Sequence, residues 1–467
     1  MEIEKILLEI EECVKFREYD TAIFYTLEIS KANPDYLLLA GILLYMHGEY
    51  SRCIAVLHEI DSNTSKYYKT LSFYHLKQYS LANKMLNTCS LKDDDYTGCL
   101  YLDSFLLTNV KHYFLLLQAK IKIQMGNAIE AVDCALKSTE QRLLLPAVNI
   151  LVENKIYYEK ENMLECGIGK YYGKISQMYL TNKEDEVLPL THYFIDSYFI
   201  SKLVVFLFQR EKVEKALEFY AFLRENDFAF IQEMDLISTF LWKHKKENLL
   251  GVLAKDMLET HSQSEKTWVV LANYYSFNNK IEKSAKCLEK SLLIKESAIA
   301  LSTLGYEYTA RNQTTKAKAY FEAALKMQLN NGKAYFGLGV AFDTAGRLEE
   351  AEKWFIKGVE LEPYDSFIQT YLVRFYVSFK KYDEALKALK TFMNIGSLTI
   401  KQAINYMQSK INGFKETEEL MALEFIEILE TKGYHKQARA LIKKVKVRTS
   451  SYFDKKNMLE RGMNIAK

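Results

Sequence analysis

The run Gly167-Ile-Gly169-Lys-Tyr-Tyr-Gly173-Lys174 has the residue types of a phosphate-binding loop, in which glycines let backbone N–H groups approach an anion and a lysine neutralises it. Its spacing fails. The pattern G-x-x-x-x-G-K-[ST] needs glycine where Ile168 stands and a hydroxyl where Ile175 stands, and no strand pattern precedes it. The run reads as a break between helices. The eight histidines form neither H-x-x-x-H nor H-E-x-x-H, and His47 and His58 fall on different helices with no cysteine at metal-ligand spacing. The seven cysteines (Cys13, Cys53, Cys89, Cys99, Cys134, Cys166, Cys287) are odd in number, irregularly spaced and lack C-x-x-C, the usage of reduced thiols in a cytosolic or nuclear protein. G-x-S-x-G is absent, and the carboxylates are spread along solvated helix faces. The expectation is therefore no catalytic residue, no metal, no cofactor and no enzyme. Lys443-Lys444-Val-Lys446-Val-Arg448 is the basic cluster of the chain. It reads as the solvated face of a late helix, with nuclear import or an acidic partner as the functional alternative.

Chemistry that is absent leaves the elements themselves to carry the function. The 467 residues suffice for about three ordinary domains or one long repeat array. Lysine plus arginine number 62 against 60 acids, a net charge of +2, which argues against a dedicated nucleic-acid binder. Apolar residues make up 49%, too many for disorder. Four prolines and 18 glycines are too few to punctuate an all-β or doubly wound chain of this length, so helix must dominate. The opening Met1-Glu-Ile-Glu-Lys lacks the layout of a signal peptide, and the longest apolar run, Tyr36 to Met46, is too short to span a bilayer. A protein of the nucleus and cytoplasm, without membrane or nucleic-acid partners, is expected.

A period near 34 residues organises the chain. Its clearest unit runs from Gly332 to Asp365: Tyr335, then Leu338-Gly339, Phe342, a turn at Gly346, Leu348, Ala351, Phe355, Gly358, Leu361 and Pro363. That is the tetratricopeptide pattern. Small Gly339 and Ala351 lie where two antiparallel helices touch, Phe342 and Phe355 fill the gaps beside them, and Pro363 stops the second helix. Units keep this register from Ser197 to about Lys446, and more degenerate ones occupy residues 1–140. Stretches 87–110 and 154–190 break the period. The expected fold is all-α, a right-handed superhelix of tetratricopeptide repeats. Its expected divisions are 1–140 (degenerate repeats), 141–196 (an out-of-register connection), 197–446 (the partner groove) and 447–467 (a basic helix or tail).

Such an array lines a groove with the first helix of each repeat, where extended peptides lie. The spacing assigns Asn273, Glu307, Phe336, Asp343 and Arg374 to that face. Asn273 would bond a peptide backbone, Glu307 and Asp343 would receive an Arg or Lys, and Phe336 would wall an aliphatic side chain. A carboxylate clamp of the co-chaperone kind is not expected, because Val269, Thr303 and Gly337 replace its polar residues although Asn273 and Lys333 are present. The apolar Tyr36–Met46 stretch and the loose N-terminal pattern suggest a homodimer through residues 1 to about 136.

Residues 216–365 carry strings beyond the generic pattern: Ala216-Leu-Glu-Phe-Tyr-Ala-Phe-Leu-Arg224-Glu-Asn-Asp227, Glu233-Met-Asp235, Ala272-Asn-Tyr-Tyr-Ser276, Leu304-Gly-Tyr-Glu-Tyr308 and Ala334-Tyr-Phe-Gly-Leu-Gly339. In these the chain resembles the tetratricopeptide scaffold subunits of the anaphase-promoting complex (cyclosome), most of all the cell division cycle protein 23 type, with the 27 and 16 types as alternatives. The resemblance implies a non-catalytic scaffold of a multisubunit ubiquitin ligase. Such a subunit pairs with itself through its N-terminal repeats, stacks on other tetratricopeptide subunits and takes activator segments in its C-terminal groove. A general tetratricopeptide adaptor or co-chaperone without a tie to ubiquitin is the competing class.

Overall fold

The computed structural model describes residues 2–89, 110–141, 145–157, 173, 175–180, 197–392, 400–410, 416–446 and 450–465. Among these there is no β-strand. The phosphate-loop-like run (apart from Gly173), Cys99, Cys166, Arg448 and most of both period breaks lie outside the described residues.

Helices follow one another as α1 (Glu2–Lys15), α2 (Tyr19–Ser30), α3 (Tyr36–His47), α4 (Tyr50–Val56), α5 (Asn63–His75), α6 (Tyr79–Leu86), α7 (Val110–Gln124), α8 (Ala128–Gln141) and α9 (Leu145–Glu153). They continue as α10 (Ser197–Gln209), α11 (Val213–Asn226), α12 (Met234–Lys243), α13 (Glu247–Thr260), α14 (Glu265–Phe277), α15 (Ile281–Ile294), α16 (Ala298–Ala310) and α17 (Thr314–Met327). The chain then forms α18 (Gly332–Thr344), α19 (Leu348–Leu361), α20 (Ser366–Ser378), α21 (Tyr382–Phe392), α22 (Ile400–Lys410), α23 (Glu416–Thr431), α24 (His435–Ile442) and α25 (Ser450–Ile465). Contacts divide the chain into two units, Met1–Val187 with Lys326–Asn330, and Leu188–Leu325 with Asn331–Lys467.

One backbone device recurs in the described hairpins of the second unit. A residue with positive φ stands between its two helices: Glu211 (φ 57), Lys245 (56), Asn279 (55), Asn312 (57), Gly346 (74) and Lys380 (57), each 33 or 34 residues after the last. At each, the next N–H reaches back to a carbonyl five residues earlier, as in Lys246 to Leu241 and Arg347 to Phe342, both at 2.9 Å. This pair of features is a Schellman stop, and it satisfies helix-end carbonyls that would otherwise be orphaned. Arg17, Gly48, Lys77 and Gly126 do the same in the first unit. Between hairpins the chain instead enters a first helix through a side-chain cap: Ser264, Ser297, Asn331 and Asp365 accept backbone N–H bonds at the starts of α14, α16, α18 and α20.

Packing explains the small residues of the pattern. A Cβ added at Gly339 would sit 2.4 Å from the Phe355 ring of its own hairpin, and one at Gly337 would sit 2.3 Å from Phe321 of the preceding hairpin. One glycine closes a repeat and the other docks it on its neighbour. In the first unit, α3 is wrapped by other helices: Leu39, Ala40, Ile42, Leu43 and Leu44 are fully buried in a core with Ile10, Ala22, Cys53 and Leu57. Most of the Tyr36–Met46 stretch is therefore covered within one chain, although Met46 at its end is 41% exposed. Exposed apolar side chains of this unit include Leu8 (66%), Phe16 (72%) and Phe24 (61%) on the first hairpin and Ile129 (68%) on α8.

Candidate peptide groove

The five groove residues sit on consecutive first helices of the second unit, as the spacing requires: Asn273 on α14, Glu307 on α16, Phe336 and Asp343 on α18, and Arg374 on α20. The structure divides them by access. Asn273 is only 4% exposed, and its amide donates to Ser238 Oγ at 2.7 Å and Thr239 Oγ1 at 3.2 Å on the neighbouring α12. Glu307 is 5% exposed and accepts a 2.8 Å bond from the Ser284 hydroxyl of α15. Phe336, 4% exposed, is boxed by Phe355, Phe367 and Tyr371 at ring distances of 5.6, 5.8 and 5.2 Å. These three spend their chemistry holding repeats together.

Asp343 and Arg374 differ. Asp343 is half-buried and takes a long 3.5 Å bond from the Tyr371 hydroxyl. Burial pushes its carboxyl up from the usual range, against the pull of Tyr371 and the Arg374 charge. Arg374 is exposed, and its charge also acts on buried Glu424 of α23, which burial holds above the ordinary glutamate range. Lys455 of α25 reaches Glu424 at 2.6 Å and Glu427 at 3.0 Å, so the C-terminal helix brings a cation to the same end of the array. Asp343, Arg374 and Glu427 thus keep acidic and basic atoms within reach of solvent on successive first helices, an arrangement suited to a mixed-charge segment.

Sequence reasoning missed a second polar cluster on this face. Lys202 Nζ lies 2.6 Å from Glu233 Oε1, and Lys266 donates to Gln232 at 2.8 Å. Burial would raise Glu233, but Lys202 and Lys266 outweigh it and hold the carboxyl below its usual range. Asp235 beside them is pushed up by burial. Glu233 also has φ 63 outside the hairpin turns, a costly backbone for a residue with a Cβ. The Glu233-Met-Asp235 string was visible in the sequence, but its pairing with a lysine 31 residues earlier was not.

Asp20, His47 and Glu49 bring ligand-type atoms together in the first unit. Asp20 lies 3.8 Å from His47 Nε2 and Glu49 lies 3.3 Å from His47 Nδ1, on different ring nitrogens, while Arg52 already pairs with Glu49 at 2.5 Å. The arrangement is a surface charge network rather than a shell around one ion.

Two stretches, residues 265–297 and 302–366, match tetratricopeptide-repeat families. Among curated proteins, the chain is 29% identical over 188 residues to anaphase-promoting complex subunit 3 of Schizosaccharomyces pombe, a match covering 40% of this chain and 28% of that subunit. This is a tetratricopeptide-repeat protein that resembles subunits of the anaphase-promoting complex. The matched stretch thus spans under a third of that subunit's own length. It is also 22% identical over 435 residues to the TPR repeat-containing protein MJ1428 of Methanocaldococcus jannaschii, covering 86% of this chain and 71% of that one. Among solved structures, it superposes on the APC/C hetero-tetramer Cut9-Hcn1 with a TM-score of 0.61 at 15% identity, over 93% of this chain and 85% of that one, a likeness of fold.

Proposed function

We propose that this tetratricopeptide protein is a non-catalytic scaffold subunit of the anaphase-promoting complex, in nucleus and cytoplasm, which joins neighbouring subunits and receives segments of activator proteins. The observation that carries the reading is the 29% identity to subunit 3, since it extends over 188 residues and so over several repeats rather than one. The strings quoted above point to the 23 type while the curated match is to subunit 3, so the reading holds for the scaffold subunits as a group. A stack of helix hairpins suits it, because such arrays offer long surfaces and no preorganised reaction centre. Exposed Leu8, Phe16 and Phe24 support self-association through the first hairpin. Accessible Asp343 and Arg374 support a segment with one basic and one acidic side chain at the later repeats.

The test is affinity purification of the tagged chain from its own cells. Co-purification of further tetratricopeptide subunits together with ubiquitin-ligase activity is the expected result; recovery without either sinks the reading. A second reading, a general tetratricopeptide adaptor, draws on the archaeal match, which covers more of this chain than subunit 3 does. Recovery of a chaperone or transport partner in place of ligase subunits would favour it.

A further inference from the structure

Hairpins far apart in sequence meet across the inner face of the second unit. Lys243, at the end of α12, lies 2.9 Å from Asp365 and 3.3 Å from Glu211, with all three side chains largely withdrawn from water. The Ser366 hydroxyl donates to the same Glu211 oxygen at 2.6 Å and the Ser366 backbone N–H at 3.2 Å, joining residues 155 apart. Beside them the Arg210 guanidinium lies 3.7 Å from the Tyr364 ring centre, and Lys333 lies 4.4 Å from that of Phe240. The first two repeats of the unit therefore touch its fifth and sixth, with the hairpins that begin at α14 and α16 between them.

Adjacent hairpins are joined by buried apolar side chains such as Phe321 on Gly337, supplemented by polar pairs such as Asn273–Ser238 and Arg224–Asp256. Those interfaces suffice to hold a repeat array, in which each unit is stabilised by the next. The junction at Lys243 is built of charges and of rings under cations. Burial works against these charges, but the attraction of Glu211 and Asp365 outweighs it at Lys243 and that of Lys243 outweighs it at Asp365, so removing the lysine strands two carboxylates. A contact that hangs on one charge and joins hairpins that are not neighbours has the properties of a two-state element.

We propose that Lys243 is the pin of a reversible clasp: closed onto Glu211 and Asp365 it shuts the inner face of the repeats, and released it opens α14, α16 and α18 to an incoming segment. The clasp does not depend on which partner the groove serves. The polarity of the clasp suits release by a ligand carrying its own charges, which can replace those that Lys243 satisfies.

Amide hydrogen exchange on the full chain tests it. In Lys243→Glu, segments 265–277, 298–310 and 332–344 should exchange at least tenfold faster than in the wild type while far-UV dichroism is unchanged. Lys243→Met, which removes the charge but keeps most of the stem, should move the same segments in the same direction. Arg224→Ala, which breaks a 2.8 Å pair with Asp256 between adjacent hairpins, should leave them at wild-type rates. Wild-type exchange in both Lys243 variants overturns the clasp. So does loss of helix in both, since the cluster would then be an integral part of the core.

Discussion

Gly339→Ala puts the repeat packing to a quantitative test. The new Cβ would lie 2.4 Å from Phe355 Cδ1, 2.5 Å from Cε1 and 3.0 Å from Cγ, where carbon atoms prefer about 3.5–4.0 Å. The ring would have to retreat by about an ångström. Its exits are blocked: Phe336, Tyr371 and Phe375 stand around it at ring distances of 5.6, 5.3 and 5.2 Å, and Phe355 is fully buried. Overpacking of this kind costs about 1–3 kcal/mol. Opposing it, alanine is favoured over glycine inside a helix by about 1 kcal/mol. The balance is a net loss of about 0–2 kcal/mol, and the blocked exits of the ring put this site at the upper end. Urea unfolding followed by far-UV dichroism should show a lower midpoint. Because the opposing atoms belong to one ring, Phe355→Leu should absorb much of the added methyl, so the double variant should be more stable than the two single losses added together. A Gly339→Ala protein as stable as the wild type, or strictly additive losses, would refute the claim that this glycine exists to admit Phe355.

Gly346→Ala isolates the other role of glycine: no atom lies within 4 Å of the added Cβ, but φ is 74, so a loss of about 1–2 kcal/mol from backbone alone is expected in the same urea assay. Glu424 is fully buried and held above the ordinary glutamate range, first by desolvation; its charged form is therefore a burden on the folded state that grows as pH rises through the folded value. Glu424→Gln should raise the melting temperature at pH 7 relative to wild type, with the gain shrinking toward pH 4, and a gain independent of pH would contradict the assignment. Titration of an activator peptide should weaken with Asp343→Ala or Arg374→Ala while stability holds. Glu307→Ala should instead lower stability by about 1–3 kcal/mol, because the buried Ser284 hydroxyl loses its acceptor. Leu8→Glu with Phe16→Glu should convert a dimer to a monomer in light scattering with helix content unchanged; a wild-type monomer at micromolar concentration would remove the self-association reading.

Periodicity made the architecture legible. Gly339, Ala351 and Phe355 recur at offsets that only a pair of touching helices explains, and Pro363 falls just after α19 ends at Leu361. Helix-to-helix contact within a hairpin is a local matter, set by residues fewer than 34 apart, so the sequence alone determined it. The hairpin turns were half legible. Gly48, Gly126, Gly346 and Gly433 announce a left-handed backbone, whereas Arg17, Lys77, Glu211, Lys245, Asn279, Asn312 and Lys380 adopt it without the residue that signals it. Packing of the two flanking helices imposes the conformation there, overriding the local cost. Side-chain access on the inner face was not legible. Helical spacing tells which side of a helix Asn273 or Glu307 occupies, but not whether Ser238 or Ser284 on another helix waits within bonding distance. Least legible was the meeting of Lys243 with Glu211 and Asp365. Whether those charges meet depends on small rotations between successive hairpins accumulated over several repeats, a quantity that no single repeat encodes and only the tertiary structure decides.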